Sequence, residues 1–418
     1  MQIPHVSTAL IWAISLASIL CMLLRPRRIA EVYWICGGGI LLVLTRLISL
    51  PQAAHAVYEG LDVYLFLTGM MILAEIAREE GVFEWVADVA ARHARNLPGR
   101  LFVLIYLVGT LVTALLSNDA TAVVLTPAVL AVVRRAKVDP KPYLFACAFI
   151  ANAASFVFPI SNPANLVVFN QHMPPLGMWL RIFLLPSVAS ILLTFLCLRW
   201  LLRKELRGEF RGEVEPVLLS TEGKLALVGL ALAAVALLWS SALGLPLGAP
   251  TCFAAVFAMA IVTLRNRRLP LNVAKGVSWS MLPLVAGLFV IVEALHSAGL
   301  LRLGLTGLRA LADIATWVAK GTAALVVALL SNGMNNLPVG LMSGAAIRHA
   351  QETSVVAHAM LIGVDLGPNL SVTGSLATIL WLIALRRENV EITAWEFFKI
   401  GMIAMPTALI ASLLVLWN

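Results

Sequence analysis

Two carboxylates stand inside stretches that are otherwise almost wholly apolar: Asp119 in "TALLSNDATAVVLTP" and Asp365 in "MLIGVDLGPNLSVTGS". A carboxylate at the centre of a membrane helix costs about 2.5–3.5 kcal/mol on insertion scales, so function is the default reading. Burial disfavours the ionised form, which suits such a group to proton exchange. Neutral amides and hydroxyls crowd the same stretches and two related ones: Ser117 and Asn118; Asn162 and Asn165; Asn332, Asn335 and Asn336; Asn369, Thr373 and Ser375. Groups of this kind can hydrogen-bond a small solute without trapping it. We expect them to line a substrate site, with Asn118, Asn335 and Asn336 in contact and Asp119 and Asp365 carrying protons. Rival duties exist. Asp119 could cap a helix, Asp365 could repair a broken backbone, and Asn or Ser could simply bond helix to helix.

The elements that must position these residues are membrane helices. The chain of 418 residues is 61% hydrophobic and 12% charged, against about 25% charged in a soluble domain. Apolar runs recur near the ~20 residues that cross a bilayer. Ten full spans can be drawn, at 7–24, 31–50, 61–78, 141–169, 177–202, 222–241, 250–265, 277–296, 354–385 and 394–417. The first run is followed by Arg25, Arg27 and Arg28 rather than a small-residue cleavage site, and reads as a retained helix. The alternating pattern of a membrane β-barrel is missing.

Two segments resist assignment as spans. Residues 101–116 and 120–133 flank Ser117-Asn118-Asp119, and 321–330 and 337–347 flank Ser331-Asn332. Each arm is short for a crossing, so each pair reads as a re-entrant hairpin, over 100–134 and 320–348. Spans 141–169 and 354–385 are long and interrupted by "NAASFVFPISNPAN" and "GVDLGPNLSVTGS". Proline there removes a helix hydrogen bond and glycine permits unusual dihedrals. Unwound backbone is tolerable in a membrane only where it lines a cavity or is buried in protein. Two tips and two breaks would enclose one polar chamber.

Most of the 30 Lys and Arg fall in segments on one side of this arrangement, while the turns "PQAAHAVY", "NQHMPPLG" and "SALGLPLGAP" hold none. That asymmetry places both termini outside the cytoplasm and sends the hairpins in from opposite faces. The word ALLSN occurs at 114–118 and again at 328–332. These features define the fold class as an all-α polytopic membrane protein. It is an inverted repeat of about five spans plus one hairpin each, over 1–202 and 222–418, joined by a cytoplasmic linker at 203–221. Such repeats are a transporter architecture with substrate bound near the midplane.

Other candidates carry bland readings. Glu75, Glu79, Glu80 and Glu84 look like a solvated interfacial face at the end of the third span. Glu293 and His296, at the outer end of the eighth span, read as a rim or a proton entry, and His93 as a solvated residue. Helices 80–97 and 300–318 look amphipathic and suited to the membrane surface. The five cysteines show no metal or disulfide spacing. No nucleotide-hydrolysing or metal-hydrolase motif appears, so we expect no enzyme activity, no cofactor and no bound metal. The net charge of +8 reflects loop topology rather than nucleic-acid binding.

At these motifs the sequence resembles the arsenite efflux permeases of the ArsB family, within the ion transporter superfamily. The matching stretches are "SNDATAVVLTPAV", "ANAASFVFPISNPANLVVF", "SNGMNNLPVGLMSGAAI", "GVDLGPNLSVTGSLATILW" and "EEGVFEW". The resemblance implies a cell inner-membrane, elevator-like carrier with a scaffold domain and a mobile transport domain. It implies export of arsenite and antimonite against proton entry. In some members a separate cytosolic ATPase attaches. Where the family often shows Thr-Pro before the "GSLA" glycine, this chain has Ser371-Val372-Thr373-Gly374, so the second break rests on Gly367-Pro368 and Gly374. Arsenous acid, a small neutral trihydroxide, suits an amide-lined acidic chamber, whereas an anion would call for a fixed Arg or Lys. The alternatives are a Na+/H+ antiporter or a silicic acid or dicarboxylate carrier of the same superfamily.

Overall fold

The computed structural model describes residues 5–207, 217–266, 271–312, 314–350 and 355–417. The middle of the expected linker, 208–216, and the first residue of span 354–385 lie outside the described residues. The first half runs α1 (His5–Leu24), α2 (Glu31–Leu44), α3 (Leu50–Glu59), α4 (Leu61–Glu79), α5 (Val82–His93), α6 (Pro98–Leu115), α7 (Thr126–Arg135), α8 (Lys141–Ala153), α9 (Pro163–Phe169) and α10 (Leu176–Leu201). The second runs α11 (Thr221–Ala242), α12 (Gly248–Asn266), α13 (Leu271–Gly276), α14 (Met281–Ser297), α15 (Leu300–Ala312), α16 (Thr316–Met334), α17 (Asn336–Ala350), α18 (Val355–Leu366), α19 (Leu376–Arg387) and α20 (Ala394–Leu414). Among the described residues there is no strand. Six of these helices are long and apolar enough to cross a membrane, or seven if the bent pair α3–α4 counts as one span. The chain is a multi-pass membrane protein.

Two expectations about lengths are corrected. The second span stops at Leu44 rather than residue 50, because Arg46 takes a left-handed conformation with φ 58°. The chain then forms a helix where a turn was expected, since Ser49 and Gln52 make a reciprocal capping box that starts α3. The hairpin arms are also longer than the apolar count suggested. α6 and α16, of 18 and 19 residues, are each long enough to cross. Pro98 sits in the first turn of α6, where a missing N–H costs nothing. The polar residues Thr316 and Lys320 are helical too. Counting apolar residues missed these terminal turns.

What makes these segments re-entrant is where their ends lie. Tyr143, at the start of α8, donates its hydroxyl to Pro98 O at 3.1 Å, so the chain from 98 to 143 enters and returns to one end of the bundle. Lys141 pairs with Glu396 at that same end, at 2.7 Å. From Glu396, α20 runs to the opposite end, a rise of about 1.5 Å per residue. There Lys320, near the start of α16, donates to Leu416 O at 3.0 Å. The two hairpins are therefore based at opposite ends. The amphipathic helices α5 and α15 lie across the bases, each touching both arms of the hairpin that comes after it in the chain. They end at residues 93 and 312, earlier than expected.

The helices pack in two groups. In one, α4 lies along α12 and α2 along α14, with α1, α3 and α11 beside them. In the other, α6 packs on α8, α16 on α18, α17 on α9, and α10 on α20. Small residues allow the tightest approaches. A methyl at Gly363 or Gly367 would overlap the backbone of Ala324 or Ala328; this is the small-residue spacing by which membrane helices bring backbones together.

Candidate functional site

The first tip is organised by a serine. Beyond α6, Ser117 Oγ accepts from Ala120 N at 3.1 Å, the bond expected of a helix N-cap. Asn118 Oδ1 accepts from Asp119 N at 2.9 Å. The returning arm starts as a π-helical stretch, residues 120–125, of the kind frequent at functional sites. Thr126 donates to Thr121 O at 3.1 Å within it, and the Thr113 and Thr121 hydroxyls meet across the tip at 2.8 Å. The tip reaches only as deep as the break between α8 and α9, where Ser161 Oγ donates to Ala114 O at 2.9 Å. Since Ser117 does the capping, the Asp119 side chain makes no capping bond.

Asp119 lines a cavity of about 80 Å³ instead. Ser117, Asp119, Val123 and Pro163 form one wall, from the hairpin group. Glu75 of α4 and Ser278, just before α14, form part of the other. The cavity therefore sits where the two groups of helices face each other. At about 30 Å³ per liquid water it has room for a few waters or one small solute.

Glu75 is a correction. Its expected place was a solvated interfacial face, but it is 6% exposed. Arg78 Nε and Nη2 donate to its two carboxylate oxygens at 2.9 and 2.5 Å, a bidentate pair. A side chain at Gly276 would overlap that carboxylate. Arg78 also pairs with Glu79 at 2.6 Å. Sequence alone hid this because Glu75 stands at the end of the span with Glu79, Glu80 and Glu84 close behind, the pattern of a solvated face. The glycine that makes room for it is 201 positions further along the chain.

At the first break Asn162 has two duties. Its Oδ1 accepts from Ala164 N at 3.0 Å, capping α9, and its Nδ2 donates to Asp365 Oδ1 at 2.7 Å. Asn165 Nδ2 ties the unwound loop together, reaching Ser155 O at 2.9 Å and Phe158 O at 3.3 Å. Asp365 is fully buried, and its Oδ2 has no hydrogen-bond partner among the described residues. It accepts from the amide side chain of the other break, so cross-linking replaces the local backbone repair that was its rival role. A second link runs beside it: Asn152 Nδ2 donates to Asn369 Oδ1, and Asn369 Nδ2 to Phe149 O, both at 3.0 Å.

The second tip folds onto the second break. Asn332 Nδ2 donates to Ala328 O at 2.7 Å and Gly367 O at 2.9 Å, and its Oδ1 accepts from Ser371 at 2.7 Å. Thr373 Oγ1 donates to Asn332 O at 3.0 Å, and Asn336 N to Gly374 O at 2.9 Å. Asn335 holds a left-handed φ of 75° and its Oδ1 accepts from Leu337 N at 3.3 Å. Ser375 Oγ accepts from Thr378 N at 3.1 Å, capping α19. The unwound stretch spans 367–375, as Gly367-Pro368 and Gly374 required.

The candidate residues thus divide. Ser117 and Asp119 line the cavity, with Asn118 beside them. Asn162 and Asp365 form a buried pair one residue behind Pro163 in its wall. Asn332, Asn369, Thr373 and Ser375 spend their polar atoms on the breaks and tips, as does the Nδ2 of Asn165, whose Oδ1 has no hydrogen-bond partner among the described residues. Asn332, Asn335 and Asn336 do not border the first-tip cavity.

Broken helices, hairpin tips and a cavity between two groups of helices are the setting in which membrane carriers bind their solutes. The chain belongs to the CitMHS family, described as citrate transporter, whose model matches residues 11–367; it is a secondary transporter of the ion transporter superfamily. It is 28% identical over 422 residues to an arsenical pump membrane protein of Escherichia coli (strain K12), covering 97% of both chains. A protein of the same description from Yersinia enterocolitica is 28% identical over 380 residues, covering 88% of both. These relatives bear out the resemblance read from the motifs. Among solved structures the fold is similar to that of the YdaH transporter of Alcanivorax borkumensis, with TM-score 0.59 and 14% identity over 87% of this chain and 86% of that one.

Proposed function

We propose that the chain exports arsenite and antimonite as neutral trihydroxides in exchange for protons. The cavity at the first tip carries this reading: a carboxylate with no capping duty, Asp119, faces a space of small-solute size beside hydroxyl donors. The arsenical pump relatives, matched end to end, support the substrate. The family's description raises citrate as a second reading. The cavity disfavours it: among the described residues Asp119 and Glu75, the latter paired with Arg78, border the space and no Lys or Arg does, so a citrate trianion lacks the fixed cation that it would call for.

In this reading Asp119 takes up and releases the coupled proton, Asp365 serves as a second proton site, and Ser117 and Asn118 hold substrate hydroxyls. The two halves, 1–202 and 222–418, act as inverted repeats, and the hairpin group moves as a unit against the α4–α12 group. The protein sits in the cell inner membrane with both termini outside the cytoplasm, the orientation favoured by its Lys and Arg. A cytosolic arsenite-stimulated ATPase is an optional partner.

Everted membrane vesicles test the proposal. With an imposed pH gradient, arsenite should accumulate and dissipate the gradient. Accumulation of Na+ or citrate without arsenite overturns it.

A further inference from the structure

The cavity wall contains a second kind of chemistry. Met70 and Met71 of α4 and Met281 of α14 all border the space that Asp119 faces. Met70 and Met281 are buried, at 4% and 7% exposure. None of the five cysteines borders it, so its sulfur is thioether sulfur alone. Thioethers are soft, polarizable donors that carry no proton and no charge. Thiolates bind soft centres tightly and must first lose a proton.

We infer that Met70, Met71 and Met281 form a soft wall that selects trivalent arsenic and antimony hydroxides over hard hydroxides of similar size. This rests on the proposed export function and names what sets its selectivity. Arsenic(III) and antimony(III) are soft, polarizable centres with a lone pair, whereas silicic and germanic acids present hard, fully oxygen-bound centres. Hydroxyls and carboxyls such as Ser117, Ser278 and Asp119 serve both classes equally. The thioethers distinguish them. The solute keeps its As–O bonds throughout; nothing is transferred, and the contact is weak enough to release at each turnover. The methionines come from the group of helices facing the tip, so the soft contact and the proton-carrying carboxylate act from opposite walls.

The test replaces all three by leucine, a volume-conserving apolar swap. Uptake of arsenite by everted vesicles is measured with increasing germanic acid as competitor, and band intensity on blots normalises for protein inserted. Wild type should be inhibited poorly by germanic acid. In the triple variant the KM for arsenite should rise about tenfold, and germanic acid should become an effective competitor. If the triple variant keeps the wild-type arsenite KM and resists germanic acid as well as wild type, the methionines are apolar filling and the inference is wrong. If the triple variant fails to insert, single Met71→Leu and Met281→Leu variants are read in the same way, each with a smaller shift. Wild-type vesicles that take up no arsenite would overturn the export reading itself, which keeps the two failures apart.

Discussion

Replacing Asp119 by Asn and Ser117 by Ala should separate transport from folding. Both residues sit at the first hairpin tip, two positions apart. The Ser117 hydroxyl caps the returning arm through Ala120 N at 3.1 Å, so Ser117→Ala should cost about 1 kcal/mol. The Asp119 side chain makes no capping bond, so Asp119→Asn removes no such contact. It also removes an ionisable group from membrane depth, where a charge costs about 2.5–3.5 kcal/mol on insertion scales. Asp119→Asn should therefore be as stable as wild type or more so, while Ser117→Ala unfolds at lower temperature. Function should invert that order. Losing a positioned proton carrier typically costs about 100-fold or more, so proton-coupled arsenite uptake should vanish in Asp119→Asn and persist, reduced, in Ser117→Ala. Thermal unfolding of the purified variants in one detergent gives the first axis, and pH-driven uptake in everted vesicles the second. If Asp119→Asn melts earlier than Ser117→Ala while transporting normally, Asp119 is the structural residue and the assignment is reversed.

Other perturbations probe the same contacts. In a double-mutant cycle, Asp365→Ala and Asn162→Ala should show coupling of about 1–3 kcal/mol, since either alone orphans a buried polar partner; additive losses in unfolding experiments would mean the pair is incidental. Asp365→Asn should fold, because Asn can still accept from the Asn162 amide, and fluorescence-detected size exclusion checks that. Gly344→Val should destabilise by about 1–3 kcal/mol by overpacking, since a side chain there meets the backbone carbonyls of Val167 and Val168; the unfolding midpoint reads the loss. Gly276→Ala should displace the Glu75 carboxylate and alter transport with normal insertion, and unchanged kinetics would remove Glu75 from the cavity's working parts. Citrate at millimolar concentration should leave arsenite uptake unaffected in a competition assay.

The breaks and tips were legible in the sequence because proline, glycine and Ser-Asn words interrupt runs that a bilayer demands be apolar. Their depth was not. The arms α6 and α16 are long enough to cross; the contact of Tyr143 with Pro98 closes the first hairpin, and α15, which touches both α16 and α17, spans the base of the second. Asp119 and Asp365 announced themselves by charge against an apolar background, yet their different surroundings depend on distant partners. Ser117 relieves one of capping, and Asn162 binds the other across 203 positions. Glu75 was misread as solvated for the same reason: the glycine that makes room for its carboxylate, Gly276, is remote in the sequence. Likewise, Asn165, Asn332 and Asn369 donate to backbone carbonyls at the breaks and tips, a task that composition cannot tell from substrate contact.

The bonds between the two breaks also bear on how the protein is made. The Asn162 amide waits for Asp365, and Asn152 for Asn369, separations of 203 and 217 residues. At about 5–20 residues per second of synthesis, the first broken helix spends roughly 10–40 s without its polar partners. An unwound amide in hydrocarbon for that long is costly, so this segment should remain at the insertion machinery, or shielded by it, until the second half emerges. A ribosome stalled between the two breaks should therefore leave the first half exposed to quality-control proteases, and a separately supplied second half should rescue it.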